Sequence, residues 1–296
     1  MSVAGSPLEI DVPTEILEGT INRKFLSNVY GGNMQSTWSY PKDEFVQQHG
    51  IKSFACLTLE YNPHTPQRPG APGLYFGHSH LLTWPGPPEE LVFTRLSSAD
   101  WLYQGKYKFI RCNPMTESEY CLQPTSFRDL WSMNTQKSKW GTYYRASILC
   151  RKELREQGLD RKASKDEIEV RIGAITANKS LDTVTIKQID DAFACGEEKI
   201  GIWAMKCVAY EEDFKRTLLE TFEKWKAAKG KTEREKDKSG KNKERIWSKS
   251  NAQGSGATGG TSLSTKTAKK HARPPSPMME DIFERVCGRK PPAIGK

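Results

Sequence analysis

Long apolar runs are missing from this chain of 296 residues, and none approaches the roughly 20 residues that a membrane-spanning helix requires. A basic, greasy leader is missing too, because Glu9, Asp11, Glu15 and Glu18 occupy the start. Both absences favour a protein that stays inside the cell, without a membrane partner. The seven cysteines are an odd number with no Cys-x-x-Cys pair, which suits free thiols in a reducing compartment better than a disulfide framework. Histidine is scarce, at five, and no His-Glu-x-x-His motif, Walker loop or serine nucleophile elbow occurs. No catalytic residue and no cofactor is therefore assigned, and an enzyme of unfamiliar type ranks behind a binding module.

Two partial patterns need weighing. His78 and His80 are alternate residues, which on a strand share one face, and His64 and Cys56 could join them. Two histidines in a stretch bounded by Gly and Pro are more often surface residues, so no metal is assigned. Gly254, Gly256 and Gly259 satisfy a dinucleotide-binding spacing. That chemistry needs a strand before the glycines and a helix N-terminus after them, and this stretch reads as a polar linker.

The net charge of +9 is unevenly spread. Residues 224–296 hold 19 Lys and Arg against 7 Asp and Glu, so the rest of the chain is slightly acidic. Seven of the eight tryptophans lie from Trp38 to Trp225, where a packed core is expected. The expected organisation is an N-terminal arm at 1–19, one α+β domain at 20–228, a disordered basic and Gly/Ser-rich linker at 229–277, a short helix at 278–287 and a tail at 288–296.

Within the domain, helix signals stand at Asn22 to Tyr30 and after Pro41 up to Gly50. Strands are expected over Ser53 to Tyr61, Leu74 to Phe76 and Leu91 to Leu96. Trp101 to Tyr103, a Gln104-Gly105-Lys106 turn and Tyr107 to Cys112 together read as a β-hairpin. Helices then follow from Thr116, Thr125, Trp140, Ser164 and Thr185, before an apolar strand at Ile200 to Ala209 and a last helix from Glu211. This order favours α+β with a small, strongly bent mixed or antiparallel sheet flanked by helices.

Three motifs carry a resemblance: Glu60 to His64 with Pro69 to Gly73, Trp101 to Tyr107, and Gly201 to Val208. They resemble an uncharacterised domain family of basidiomycete fungi, over about residues 20–228. The resemblance implies no chemistry, since that family has none assigned. The aromatic hairpin and returning apolar strand also look like the bent sheet, or pseudo-barrel, of PUA-like nucleic-acid reader domains.

The middle of the chain is the expected binding face. Trp101, Tyr103 and Tyr107 would stack on bases, while Lys106, Lys108, Arg111, Lys137, Lys139, Arg145, Arg151 and Lys152 would neutralise phosphates. The competing reading places those rings in the core and those cations on a solvated helix face. Two further expectations concern the C-terminal region. The basic run Lys266 to Arg273 suits nuclear import or a polyanion, and Met279, Ile282, Phe283 and Val286 would form one apolar stripe for a protein partner, with Ser276 as a phosphorylation site at its start. A nucleic-acid or chromatin reader is thus the leading expectation, with a protein-interaction adaptor behind it.

Overall fold

The computed structural model describes residues 5–80 and 86–229. The expected linker beyond Lys229, Ser276, the helix at 278–287 with Met279, Ile282, Phe283 and Val286, and the tail lie outside the described residues. Chain order begins with α1 (Thr14–Leu17), β1 (Thr20–Ile21), α2 (Arg23–Val29), β2 (Trp38–Ser39) and α3 (Asp43–His49). Strands β3 (Phe54–Thr58), β4 (Gly73–His78), β5 (Glu90–Arg95) and β6 (Trp101–Arg111) follow. Helices α4 (Glu117–Cys121), α5 (Thr125–Lys137), α6 (Thr142–Glu156), α7 (Lys165–Ala177) and α8 (Ile186–Ala194) lead to β7 (Ile200–Ala209) and to α9 at residues 212–229.

Local chemistry explains four of the helix starts. The Asn22 side chain accepts a 2.7 Å hydrogen bond from the Phe25 amide and so caps α2. Reciprocal capping boxes open α4 (Thr116 with Glu119), α7 (Ser164 with Glu167) and α8 (Thr185 with Gln188). Gly50 ends α3 in the left-handed conformation, at a φ of 71°.

The fold is α+β, and its seven-stranded mixed sheet is strongly curled into a half-barrel. Strand order is β2-β3-β5-β6-β7-β4, with β1 added beside the start of β6; β3 and β5 are parallel and the other neighbours antiparallel. Alternation along the strands separates two faces. One face carries Ala55, Leu57, Val92, Tyr107, Phe109, Trp203 and Met205. The opposite face is covered in two places. Phe54, Phe93, Trp101 and Tyr103 pack with α2 and α9 through Phe25, Leu26, Leu218 and Phe222. Leu74, Phe76, Ile200 and Ile202 pack with the α4–α8 layer through Tyr120, Phe127, Trp131, Tyr144 and Phe193.

One expectation is corrected here. Trp101 to Arg111 is a single 11-residue strand rather than a hairpin. Gly105 marks a β-bulge instead of a turn: β5 pairs Val92 with Gly105 and Phe93 with Tyr103, so Gln104 is the extra residue. The φ of 122° at Gly105 explains why glycine stands there. The bulge also shifts the alternation, which sends Trp101 and Tyr103 to one face and Tyr107 to the other.

Helix α9 closes the second layer and buries a lysine. Lys215 is fully buried, and its ammonium donates to the Gly19 carbonyl rather than to a carboxylate of the described residues. Burial pushes its pKa down to about 8. Because the folded-state value lies below the unfolded one, near 10.5, the buried charge destabilises the domain below pH 8, and that penalty fades as pH rises through 8. Lys215→Met should therefore raise stability at pH 7.5, and its advantage over the wild type should shrink by about 2 kcal/mol by pH 9.5. Cys56 and Cys207, whose pKa values burial raises to about 12 and about 11, withdraw stability over the same range in both proteins. Denaturant melts of the pair at the two pH values isolate the lysine.

Candidate functional site

The edge strand of the sheet sets up the site. β4 hydrogen-bonds to β7 on one side only, and its other side is closed by the preceding segment. The Leu74 amide donates to the His64 carbonyl (2.8 Å) and the Phe76 amide to Asn62 Oδ1 (2.7 Å). An edge strand exposes side chains from both faces along one border. Around β4, Tyr75 contributes from one face, while Phe76 and His78 contribute from the other.

A cleft of about 560 Å³ wraps around this edge. Gln35 to Trp38 and Tyr40 form one wall, Tyr61 and Asn62 the segment after β3, and Trp203 reaches in from β7. The far wall is Trp131 of α5 with Ser138 and Trp140 from the corner before α6. Four tryptophans, two further tyrosines beside Tyr75, and His78 thus surround one space. No Asp, Glu, Lys or Arg lines it among the described residues.

The rings are held by edge-to-face packing and by hydrogen bonds. Trp38 and Tyr75 lie 5.3 Å apart at 80°, and the Trp38 indole N–H donates to Tyr75 Oη over 3.2 Å. Phe109 packs edge-on against both. Across the cleft, Trp140 lies 5.7 Å from Trp131 and 5.4 Å from His78. Trp131 is only 4 % exposed, yet its Nε1–H has no hydrogen-bond partner among the described residues.

Two arginines position these walls from behind. Buried Arg23 lies over the Phe54 and Trp101 rings and donates to the Met34, Asn33 and Ser36 carbonyls, Ser39 Oγ and Cys56 Sγ. It therefore ties the 33–36 loop to the sheet. Arg145, only 6 % exposed, pairs with Asp182 at 2.8 Å and donates to the Thr135 and Ser138 carbonyls. That brace fixes the corner carrying Trp140. Gly141 makes the corner tight, since a Cβ there would sit 1.9 Å from the Thr135 carbonyl oxygen.

The residues expected from sequence are distributed differently. Trp101, Tyr103 and Tyr107 are 7 %, 0 % and 0 % exposed, so they are core residues and their expected stacking role is corrected. Most of the expected phosphate contacts already have partners. Lys106 pairs with Glu211 (2.5 Å), Lys108 with Glu89 (3.7 Å) and Lys152 with Glu156 (3.9 Å). Arg151 pairs with Glu197 (2.7 Å) and with buried Glu198, Arg145 serves as the brace above, and Arg111 donates to the Ser79 carbonyl (2.8 Å). Lys137 and Lys139 differ. They are exposed, form no ion pair among the described residues, and flank Ser138 on the lip of the cleft.

The histidine pair does come together, with rings 5.1 Å apart, and His80 stacks on Tyr143 at 3.9 Å. Burial, with a smaller contribution from His80, pulls the His78 pKa down to about 4, so it is neutral at pH 7. Cys56 is occupied by Arg23, and no group of three or more His, Cys, Asp or Glu that could hold a metal occurs among the described residues. No helix among them is long and apolar enough to cross a membrane. Sequence reasoning missed Trp38, Tyr40, Tyr61, Tyr75, Trp131, Trp140 and Trp203 as a set. They come from separate segments, and each taken alone reads as core.

A family model described as a domain of unknown function, DUF6697, matches residues 20–221. No curated protein and no solved structure matches, and the expected likeness to PUA-like domains is not confirmed.

Proposed function

We propose that this chain, which belongs to the DUF6697 family of unknown function, is a binding module whose aromatic cleft takes up an unpaired base of a nucleic acid strand. The observation that carries this reading is the lining itself: aromatic residues on several sides of one space that no charged side chain of the described residues lines. Bases stack on aromatic side chains for about 1–3 kcal/mol each, and enzymes and readers alike house extruded bases between such rings. A volume of about 560 Å³ lies within the roughly 300–1,000 Å³ of small-ligand sites. A methylated ammonium would also gain from the ring faces, yet it would meet no carboxylate among the described lining residues. The neutral, planar ligand is therefore the better fit.

The backbone of such a strand would pass the lip, where Lys137 and Lys139 are available to its phosphates. Fluorescence anisotropy with short single-stranded oligonucleotides tests the reading. Affinity should fall as salt rises. In Lys137→Ala/Lys139→Ala the slope of log K against log salt should become shallower by about 1.4, or about 0.7 for each phosphate no longer neutralised. Absence of binding to single strands in about 50 mM salt would overturn the reading.

A further inference from the structure

The cleft holds a polar group that ring stacking does not use. Asn62, in the segment after β3, is fixed at three points. Its amide donates to the Thr58 carbonyl and its carbonyl accepts from the Thr65 amide, both over 3.0 Å, while its Oδ1 accepts from the Phe76 amide of β4 over 2.7 Å. A backbone N–H needs an acceptor, so the third bond also settles how the side-chain amide is turned. Oδ1 is committed to β4, and Nδ2 with its two hydrogens is left over.

Nδ2 makes no hydrogen bond among the described residues, yet it is not closed off from solvent. Asn62 is otherwise buried, at 4 % exposed, and it lines the cleft, so the cleft is where that group opens. Gln35 and Ser36 of the same lining are exposed and stay within reach of water when the cleft fills. Asn62 lacks that freedom. A ring that fills the cleft displaces the water from Nδ2, and an unanswered donor there is costly. Nucleobases carry carbonyl oxygens or ring nitrogens that can answer it, whereas an apolar ring of the same outline cannot.

Resting on the base-binding reading above, we infer that Asn62 is the polar anchor of the cleft, whose Nδ2–H donates to an acceptor on the edge of the stacked base and so selects a heterocyclic base over an apolar ring of the same shape. Thymine and its difluorotoluene isostere suit the test. The isostere keeps the outline but replaces the carbonyl oxygens with fluorine, a very poor acceptor, and the ring nitrogens with carbon. The full chain should bind a five-nucleotide thymidine strand about tenfold more tightly than the same strand carrying the isostere in place of each thymine. Asn62→Asp keeps an oxygen for the Phe76 amide and puts an acceptor where the donor stood. With its carboxylate ionised, at about pH 8, it should bring the ratio of the two affinities to about 1 or below. The added negative charge weakens both strands alike and cancels in that ratio.

A second measurement covers the case in which Asn62→Asp fails to fold. In the wild type, an Asn62 side-chain amide proton resonance should move downfield on adding the thymidine strand and much less on adding the isostere strand. Equal or reversed affinity for the two strands in the wild type, or a preference that survives in folded Asn62→Asp, would overturn the inference while leaving ring stacking intact. Equal movement of the amide resonance with both strands would do the same. Failure of both strands to bind would instead remove the base-binding reading itself.

Discussion

Arg23→Ala should lower the melting temperature by roughly 10 °C and loosen one wall of the cleft. The guanidinium is buried between the Phe54 and Trp101 rings, 5.5 and 5.7 Å from their centroids. Its removal leaves the carbonyls of Asn33, Met34 and Ser36 without this donor and opens a cavity beside Cys56 and Ser39. Leaving several buried acceptors without their donor costs about 1–3 kcal/mol each before water enters, and a domain of this size melts about 2–4 °C lower per kcal/mol. Arg23→Lys should recover less than half of the loss, because an ammonium cannot reach acceptors on several sides at once. The 33–36 loop supplies Gln35 and Ser36 to the cleft, so ligand affinity should fall together with stability. A thermal melt followed by circular dichroism, with binding measured well below the transition, checks both parts.

Trp140→Ala should have the opposite balance, with a large loss of binding and a smaller loss of stability. Trp140 is only partly buried, at the rim of the helical core cluster, with one side against Trp131 and His78 and another on the cleft. It sits in a short 3-10 turn, Lys139–Gly141, which Gly141 and the Arg145 brace hold in place. Removing a ring that stacks on a base costs about 1–3 kcal/mol, or about 5- to 150-fold in affinity. Trp140→Phe should restore most of the binding. Trp101→Ala provides the contrast, since truncating a core ring should cost stability through a cavity of its own. Comparing melting curves with binding curves for the three variants separates a ligand-facing ring from a core ring.

The legible parts of the sequence are those whose causes are local. Asn22, Thr116, Ser164 and Thr185 open helices through contacts with residues three positions on, and Gly50 closes one through its own backbone. The apolar run Ile200 to Ala209 is a strand paired on both sides, as its composition suggests. The segment Gln104 to Lys106 misleads because a glycine with positive φ serves a bulge as readily as a turn, and only pairing with β5 decides between them.

The charge pattern misleads for a related reason. Arg151 and Arg155 share a stretch with Lys137 and Lys139, but their partners Glu197 and Glu198 lie more than 40 positions away. Density of cations along the chain therefore does not show which of them remain uncommitted. The cleft is illegible for the strongest version of this reason. Trp38 on β2 and Trp203 on β7 stand near opposite ends of the strand order, and they line one space only because the curled sheet sets Trp38 against Tyr75, which β4 pairs with Trp203. Trp131 and Trp140 join them only through the packing of α5 against the sheet.

Photo-crosslinking tests the occupancy of that cleft most directly. A short single strand carrying 5-bromodeoxyuridine, irradiated with the full chain and mapped by peptide mass spectrometry, should label Trp38, Tyr40, Trp140 or their immediate neighbours in the cleft lining. Labelling confined to Trp101–Tyr107 or to the basic run Lys266 to Arg273, with the cleft peptides unmodified, would contradict the account.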